Sequence, residues 1–279
     1  PRASASLIGR MLRDWPVGLS APGGPAEEAS DAPAVSVVIP HRGTARLDHL
    51  LIVLRSFAVQ RGVAFEVIVV EQDHASRIAD VLPAWVRHVE DRIPSEETRF
   101  NRARALNVGA RHARGELLLL HDGDMVVPRD YARELLDRAR AGFDVVNAKR
   151  FIAYLDRTST ERVFDGGSIA GVLAEEIVEN LRAGGSLGIT SSAYADVGGM
   201  DGDFVGWGGE DEEFWDRCAT LRVFDAGYMP IIHLWHAAQP GKNAVGGRGK
   251  DTADYFEQRM RIPARTRIAE LRAGREASA

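Results

Sequence analysis

Three short apolar runs, each ending in polar or ionisable residues and interleaved with helical sequence, most constrain what this chain can fold into. Ser36-Val37-Val38-Ile39 stops at Pro40 and leads into His41-Arg42. Phe65-Glu66-Val67-Ile68-Val69-Val70 ends in Glu71-Gln72-Asp73, and Leu117-Leu118-Leu119-Leu120 ends in His121-Asp122-Gly123-Asp124. Runs of this length and composition read as buried strands. Between them, Ala45–Gln60 carries Leu47, Leu50, Leu51, Leu54 and Phe57 at helical spacing, and Asn101–Arg114 reads as a helix stopped by Gly115. The alternation predicts an α/β fold, with a mostly parallel central sheet and helices on both faces. Such sheets bind ligands beyond the carboxyl ends of their strands, so the three polar strand ends are expected to converge on one edge.

The second half is less regular. Phe143–Ala148 reads as a strand, Ile169–Arg182 as a helix, and Gly184–Gly209 as glycine-rich loops packed around a ligand. Glu210–Leu221 reads as a helix, Tyr228–His233 as a strand, and the sequence from Asp251 to the Pro263 break as a last helix. With 279 residues, 45% of them hydrophobic, the chain can bury one large core. The expected organisation is a flexible N-terminal extension over residues 1–33, a single domain over 34–262, and a C-terminal tail over 263–279.

A net charge of −5 offers no basic field for a nucleic-acid partner. Cys218 is the single cysteine, so no intrachain disulfide can form, which fits a reducing compartment. No apolar run approaches the roughly 18–20 residues of a membrane span, and the first 33 residues hold no signal-peptide core. A cytoplasmic location is expected, with peripheral membrane association left open.

Asp122-Gly123-Asp124 supplies two carboxylates that can turn toward one hard cation. On a solvated loop such a triplet is usually only a turn; at the end of a buried strand it points to function. A divalent cation held there would bridge two phosphates and neutralise a departing diphosphate. His233 and His236 add two imidazoles three residues apart, suited to Mn²⁺ or Zn²⁺. Taken alone they read more readily as two unrelated histidines beside a core tryptophan. Together the pairs suggest one site that combines Asp124 with His236. In Gly206-Trp207-Gly208-Gly209-Glu210-Asp211-Glu212-Glu213, a tryptophan among glycines suits a ring that stacks on a ligand. The four acids that follow favour a helix N-terminus in any case, and the functional alternative makes one of them a general base.

Phe100-Asn101-Arg102-Ala103-Arg104-Ala105-Leu106-Asn107-Val108-Gly109 resembles the segment before the Asp-x-Asp strand of the animal β-1,4-galactosyltransferases. Gly206-Trp207-Gly208-Gly209-Glu210-Asp211 resembles their acceptor-side motif, and Pro40-His41-Arg42 their first strand end. Similar blocks occur in bacterial chondroitin-type polymerases and in the family 2 glycosyltransferases, in order from about Val35 to Asn243. The resemblance implies a GT-A fold, a UDP-sugar donor, Mn²⁺ (or Mg²⁺), and inversion at the anomeric carbon. It also implies transfer of a galactose- or N-acetylgalactosamine-type hexose to a hydroxyl of a carbohydrate, peptide or small-molecule acceptor.

Carried over position by position, Asp124 resembles the metal-binding aspartate, and Asp122 its partner near the ribose and a further candidate ligand, with Gly123 between them on the donor. Arg102 would face the diphosphate. Pro40, Arg42 and the Glu71–Asp73 strand end would hold the nucleoside. Asp211 matches the catalytic base, Glu210 the neighbouring acceptor-binding acid, Trp207 the aromatic between donor and acceptor, and His236 the metal-binding histidine. His233 stands where those enzymes place a methionine ligand, so it either joins the metal or leaves it one ligand short. Gly241–Gly249 resembles their mobile lid. Rival readings are a retaining polypeptide N-acetylgalactosaminyltransferase type, a sugar nucleotidyltransferase, and a sugar-binding module without turnover.

Overall fold

A computed structural model describes residues 5–24, 30–97, 99–166, 168–169, 174–180, 184–237 and 249–276. Its strands are β1 (Val35–His41), β2 (Phe65–Asp73), β3 (Val86–Arg92), β4 (Leu117–His121), β5 (Met125–Val126), β6 (Val145–Val146), β7 (Lys149–Leu155), β8 (Ala174–Glu179), β9 (Ser186–Thr190), β10 (Val223–Phe224) and β11 (Met229–His233). Its helices are α1 (Ala5–Asp14), α2 (Leu47–Phe57), α3 (Arg102–His112), α4 (Tyr131–Arg140), α5 (Arg157–Phe164), α6 (Ser191–Asp196), α7 (Glu210–Cys218), α8 (Lys250–Met260) and α9 (Ala264–Glu276).

The apolar runs are continuous because both faces of their strands are covered. Side chains alternate across a strand, so Val35, Val37, Ile39, Leu117 and Leu119 enter one core with α2 and α4. Val38, Ile68, Val70, Leu118 and Leu120 enter a second core with α3 and α7. The sheet runs β10-β6-β9-β4-β1-β2-β3. Its pairs are parallel except those that β9 makes with β4 and β6. This is the mostly parallel α/β architecture that the alternation predicts. A second sheet, β5-β11-β7-β8, stands beside it.

Several local expectations change. Pro40 does not end β1 but pairs with Val70 inside it. Residues 174–179 of the predicted Ile169–Arg182 helix form strand β8, antiparallel to β7, with Ile177 the buried residue of the strand. Pairing with Ile152 and Ala153 decides its conformation over a helix-tolerant composition. The glycine-rich stretch after Gly184 contains β9 and α6. Gly188 sits inside β9 because a Cβ there would come within 3.3 Å of Leu135. At the N-terminus, α1 buries Ile8 to 6% exposure. Beyond Pro263, α9 carries the buried Arg267 onto Glu213 of α7. The lid expected at residues 241–248 lies outside the described residues. No helix among the described residues is long and apolar enough to cross a membrane.

Candidate active site

A cleft of about 1600 Å³ opens at the carboxyl ends of β1 and β4 and is closed on the far side by β7, β8, β11 and the start of α7. Pro40, Arg42, Arg102, Asp122, Gly123, Asp124, Trp207, Glu210, Asp211, His233 and His236 all line it. The β1 and β4 ends therefore converge as expected, but the β2 end does not reach the cleft. Glu71 is 1% exposed. It accepts the Arg77 backbone N–H (2.7 Å) and the Ser76 hydroxyl (3.0 Å) and lies 2.8 Å from His88 Nε2. Asp73 accepts the His74 backbone N–H at 2.8 Å and pairs with Arg77 at 3.1 Å. Both acids hold the loop that follows their own strand. Arg42 likewise donates to the carbonyls of Glu97 and Arg99, securing the rim of the cleft.

Asp124, at the β4–β5 turn, meets the two histidines from the end of β11. Its Oδ2 is 3.3 Å from His236 Nε2 and its Oδ1 is 4.0 Å from His233 Nε2. The three donor atoms lie within 4.8 Å of one another. One carboxylate and two imidazoles form a donor set that suits a borderline divalent ion such as Mn²⁺. His236 Nδ1 is 2.8 Å from the Ala237 carbonyl, which fixes the ring with its Nε2 edge toward Asp124. The residues present thus fit a cation. Burial would raise the Asp124 pKa, but His236, His233 and Arg46 together hold it well below the usual carboxylate range.

Sequence reasoning missed three residues here. Arg46 Nη1 is 3.0 Å from Asp124, and its Nη2 is 3.1 Å from His236 Nδ1. His49, in the first turn of α2, donates its Nε2–H to the Trp235 carbonyl at 2.8 Å, steadying the segment that carries His236. Tyr154 stacks on His233 with ring centroids 4.6 Å apart. The spacing of Arg46 and His49 was the available signal, since it places the residue that precedes α2 and one in its first turn close together at the helix start.

Across the cleft, Arg102 at the start of α3 joins the carboxylates. Its Nε donates to Asp122 Oδ1 (2.7 Å), its Nη1 to Asp211 Oδ1 (2.7 Å), and Glu210 lies 3.8 Å away. Burial opposes its charge, yet Asp122, Asp211 and Glu210 together raise its pKa. Burial also pushes Asp122 up to about 6 against the pull of Arg102. Glu210, buried beside Asp211, is pushed up to about 7. Lys149, fully buried at the start of β7, is pushed down to about 7 by burial. His121, behind the turn, is pushed down to about 4, also by burial.

The glycine loop presents Trp207 to the cleft and then starts α7. Gly209 has φ 101°, and a Cβ there would come within 3.1–3.2 Å of Phe204 and Phe256. The Trp207 carbonyl accepts the Gly249 N–H (3.0 Å) and the Thr252 hydroxyl (2.6 Å), tying the loop to the start of α8.

Comparison with known proteins gives this geometry a family. Residues 36–192 match glycosyl transferase family 2, and residues 179–224 match the N-terminal domain of galactosyltransferase. The chain belongs to glycosyl transferase family 2. It is 29% identical over 119 residues to an undecaprenyl-phosphate 4-deoxy-4-formamido-L-arabinose transferase of Pseudomonas aeruginosa, covering 42% of this chain and 35% of that protein. It is 28% identical over 153 residues to the mouse chondroitin sulfate N-acetylgalactosaminyltransferase 2, covering 51% of this chain and 28% of that protein. The chain thus spans about a third of the length of the curated relatives it matches. Among solved structures it is similar to the catalytic domain of Drosophila β1,4-galactosyltransferase 7 in complex with xylobiose. That match has a TM-score of 0.45 and 18% identity over 81% of this chain and 79% of that one.

Proposed function

We propose that the chain is an inverting, Mn²⁺-dependent glycosyltransferase. It moves a galactose- or N-acetylgalactosamine-type hexose from a UDP-sugar to an acceptor hydroxyl, with residues 34–262 as its catalytic unit. The observation that carries this reading is one cleft with two opposed charge groups: Asp124 with His233 and His236 on one side, and Arg102 with Asp211 on the other. Family membership and the galactosyltransferase match over residues 179–224 support the same class.

Bound at Asp124, His236 and His233, Mn²⁺ would supply Lewis-acid charge to the diphosphate. The protein's own residues do the rest. Asp211 accepts the proton of the attacking hydroxyl while the new carbon–oxygen bond forms and the bond to the diphosphate oxygen breaks. Arg102, already held by Asp122 and Asp211, offers donors to the departing charge, a preorganised electrostatic contribution. Glu210, its pKa pushed up to about 7 by burial and Asp211, can donate a hydrogen bond to the acceptor in its protonated form. Trp207 offers an apolar face between the two sugars.

The test is to incubate the protein with a panel of UDP-sugars, Mn²⁺ and hydroxyl acceptors and follow the product by NMR. The expected result is Mn²⁺-dependent release of UDP and a product anomeric configuration opposite to that of the donor. Retention would overturn inversion, and no binding or turnover of any UDP-sugar would overturn the donor assignment.

A further inference from the structure

Ser186, the first residue of β9, is 1% exposed and carries an unusual load of buried polar contacts. Its hydroxyl accepts from the Tyr131 hydroxyl at 3.0 Å and lies 2.9 Å from His121 Nδ1. On the other side of the ring, His121 Nε2 is 2.8 Å from the Met125 carbonyl. A carbonyl can only accept, so Nε2 carries the proton and Nδ1 of the neutral ring accepts from Ser186. The contacts then form one chain of fixed polarity, from Tyr131 to Ser186 to His121 to the Met125 carbonyl. Tyr131 and His121 are both 0% exposed, and neither they nor Ser186 line the cleft.

The placement of the ring matters. His121 precedes the Asp122-Gly123-Asp124 turn and Met125 follows it, so the imidazole ties one end of the turn to the other from behind. The Asp122 N–H donates to the Gly185 carbonyl at 2.8 Å, and Lys149 Nζ donates to the Ser186 carbonyl at 2.9 Å. Phe57 packs edge-on against the imidazole with centroids 4.9 Å apart, but the ring is fixed by its two hydrogen bonds to Ser186 and the Met125 carbonyl. Cross-linking of this kind, in a dry interior where hydrogen bonds are strong, holds a turn in one shape.

We infer that Tyr131, Ser186 and His121 are positioning residues for the cation site, holding the 121–125 turn so that Asp124 faces His233 and His236 before any ion arrives. This inference rests on the proposed cation site. Direct partners of metal ligands change metal affinity by about 10–100-fold when removed. This chain acts one step further out, through the backbone of the turn, which places the expected effect near the lower end of that range.

The test measures Mn²⁺ affinity directly, by calorimetry in the presence of UDP, on His121→Phe and Ser186→Ala, each of which breaks the chain. Phe57→Leu serves as the comparison, because it loosens the same core while leaving every hydrogen bond of the chain intact. The expected result is an Mn²⁺ dissociation constant raised about tenfold or more in the first two variants, with close to one ion bound per chain. Phe57→Leu should stay within about twofold of wild type. A merely structural role would lower the number of binding-competent chains and leave the dissociation constant alone. Should His121→Phe fail to fold, Ser186→Ala, a smaller change, decides the question. An unchanged constant in the folded variants, or an equal rise in Phe57→Leu, overturns the inference alone. A wild-type protein that binds no Mn²⁺ overturns the cation-site reading and this inference with it.

Discussion

Asp211 and Asp124 separate the two halves of the chemistry at the scale of single residues. Asp211→Asn removes the proposed base while keeping a partner for Arg102, so turnover should fall by roughly 10²–10⁴-fold with donor affinity little changed. Turnover within a few-fold of wild type would rule Asp211 out. Asp124→Ala should instead abolish the Mn²⁺ dependence of donor binding. His233→Ala should weaken Mn²⁺ binding less than His236→Ala, because His233 stands 4.0 Å from the carboxylate and His236 3.3 Å. A larger effect at His233 would reverse that ranking. These residues were legible because each ends a strand or starts a helix whose pattern is local. Glu71 and Asp73 satisfied the same rule and still miss the cleft. What consumes them is the 74–77 loop and His88, and no spacing in the sequence announces those partners.

At the scale of elements, the loop that launches α7 is the part most sensitive to backbone change. Gly209→Ala would force a side chain into left-handed backbone and against Phe204 and Phe256. It should cost about 1–3 kcal/mol plus the repacking of two aromatics. Gly166 has φ 88° with open space around it, so Gly166→Ala should cost only the backbone part. Denaturant midpoints of the two variants check the difference, and equal losses would show that crowding at Gly209 is relieved. Elements whose apolar period repeats for several residues, such as β1, β2, β4 and α2, could be read directly. Strand β8 could not, because Ala-Glu-Glu-Ile-Val-Glu has no pattern of its own and is set by β7. Helix α9 was also hidden: its anchor is not an apolar stripe but Arg267, buried against Glu213 beside the equally buried Arg217. Arg267→Met removes its bonds to Glu213, Asp216 and the Ile262 carbonyl while Glu213 keeps Arg217 as its partner, and should cost about 1–3 kcal/mol.

At the scale of the whole molecule, the titratable groups packed around the cleft make opposed contributions to the pH dependence of stability, and single substitutions separate them. The pKa of Glu210 is raised from 4.5 to about 7 on folding. The native state therefore binds more protons than the unfolded chain between those values, and its stability falls as pH rises from about 4.5 to about 7. Asp122, raised to about 6, acts in the same direction. Lys149 is lowered from 10.5 to about 7, so above pH 7 the unfolded chain binds the extra proton and stability rises again toward 10.5. Asp124, held below the usual carboxylate range, opposes the first trend only at acid pH, where its contribution is lost as it protonates. His121, lowered from 6.5 to about 4, and His41 and His49, also lowered by burial, act the other way. The unfolded chain binds their protons, so their contribution makes stability rise with pH up to about 6.5 and offsets much of the Glu210 and Asp122 decline. Denaturation at pH 5, 7 and 9 tests this. Glu210→Gln should remove up to about 2 kcal/mol of the Glu210 decline between pH 5 and 7, and Lys149→Met should flatten the rise above 7. A Glu210→Gln protein with the wild-type slope below pH 7 would show that Glu210 is not the buried, proton-holding group of the site.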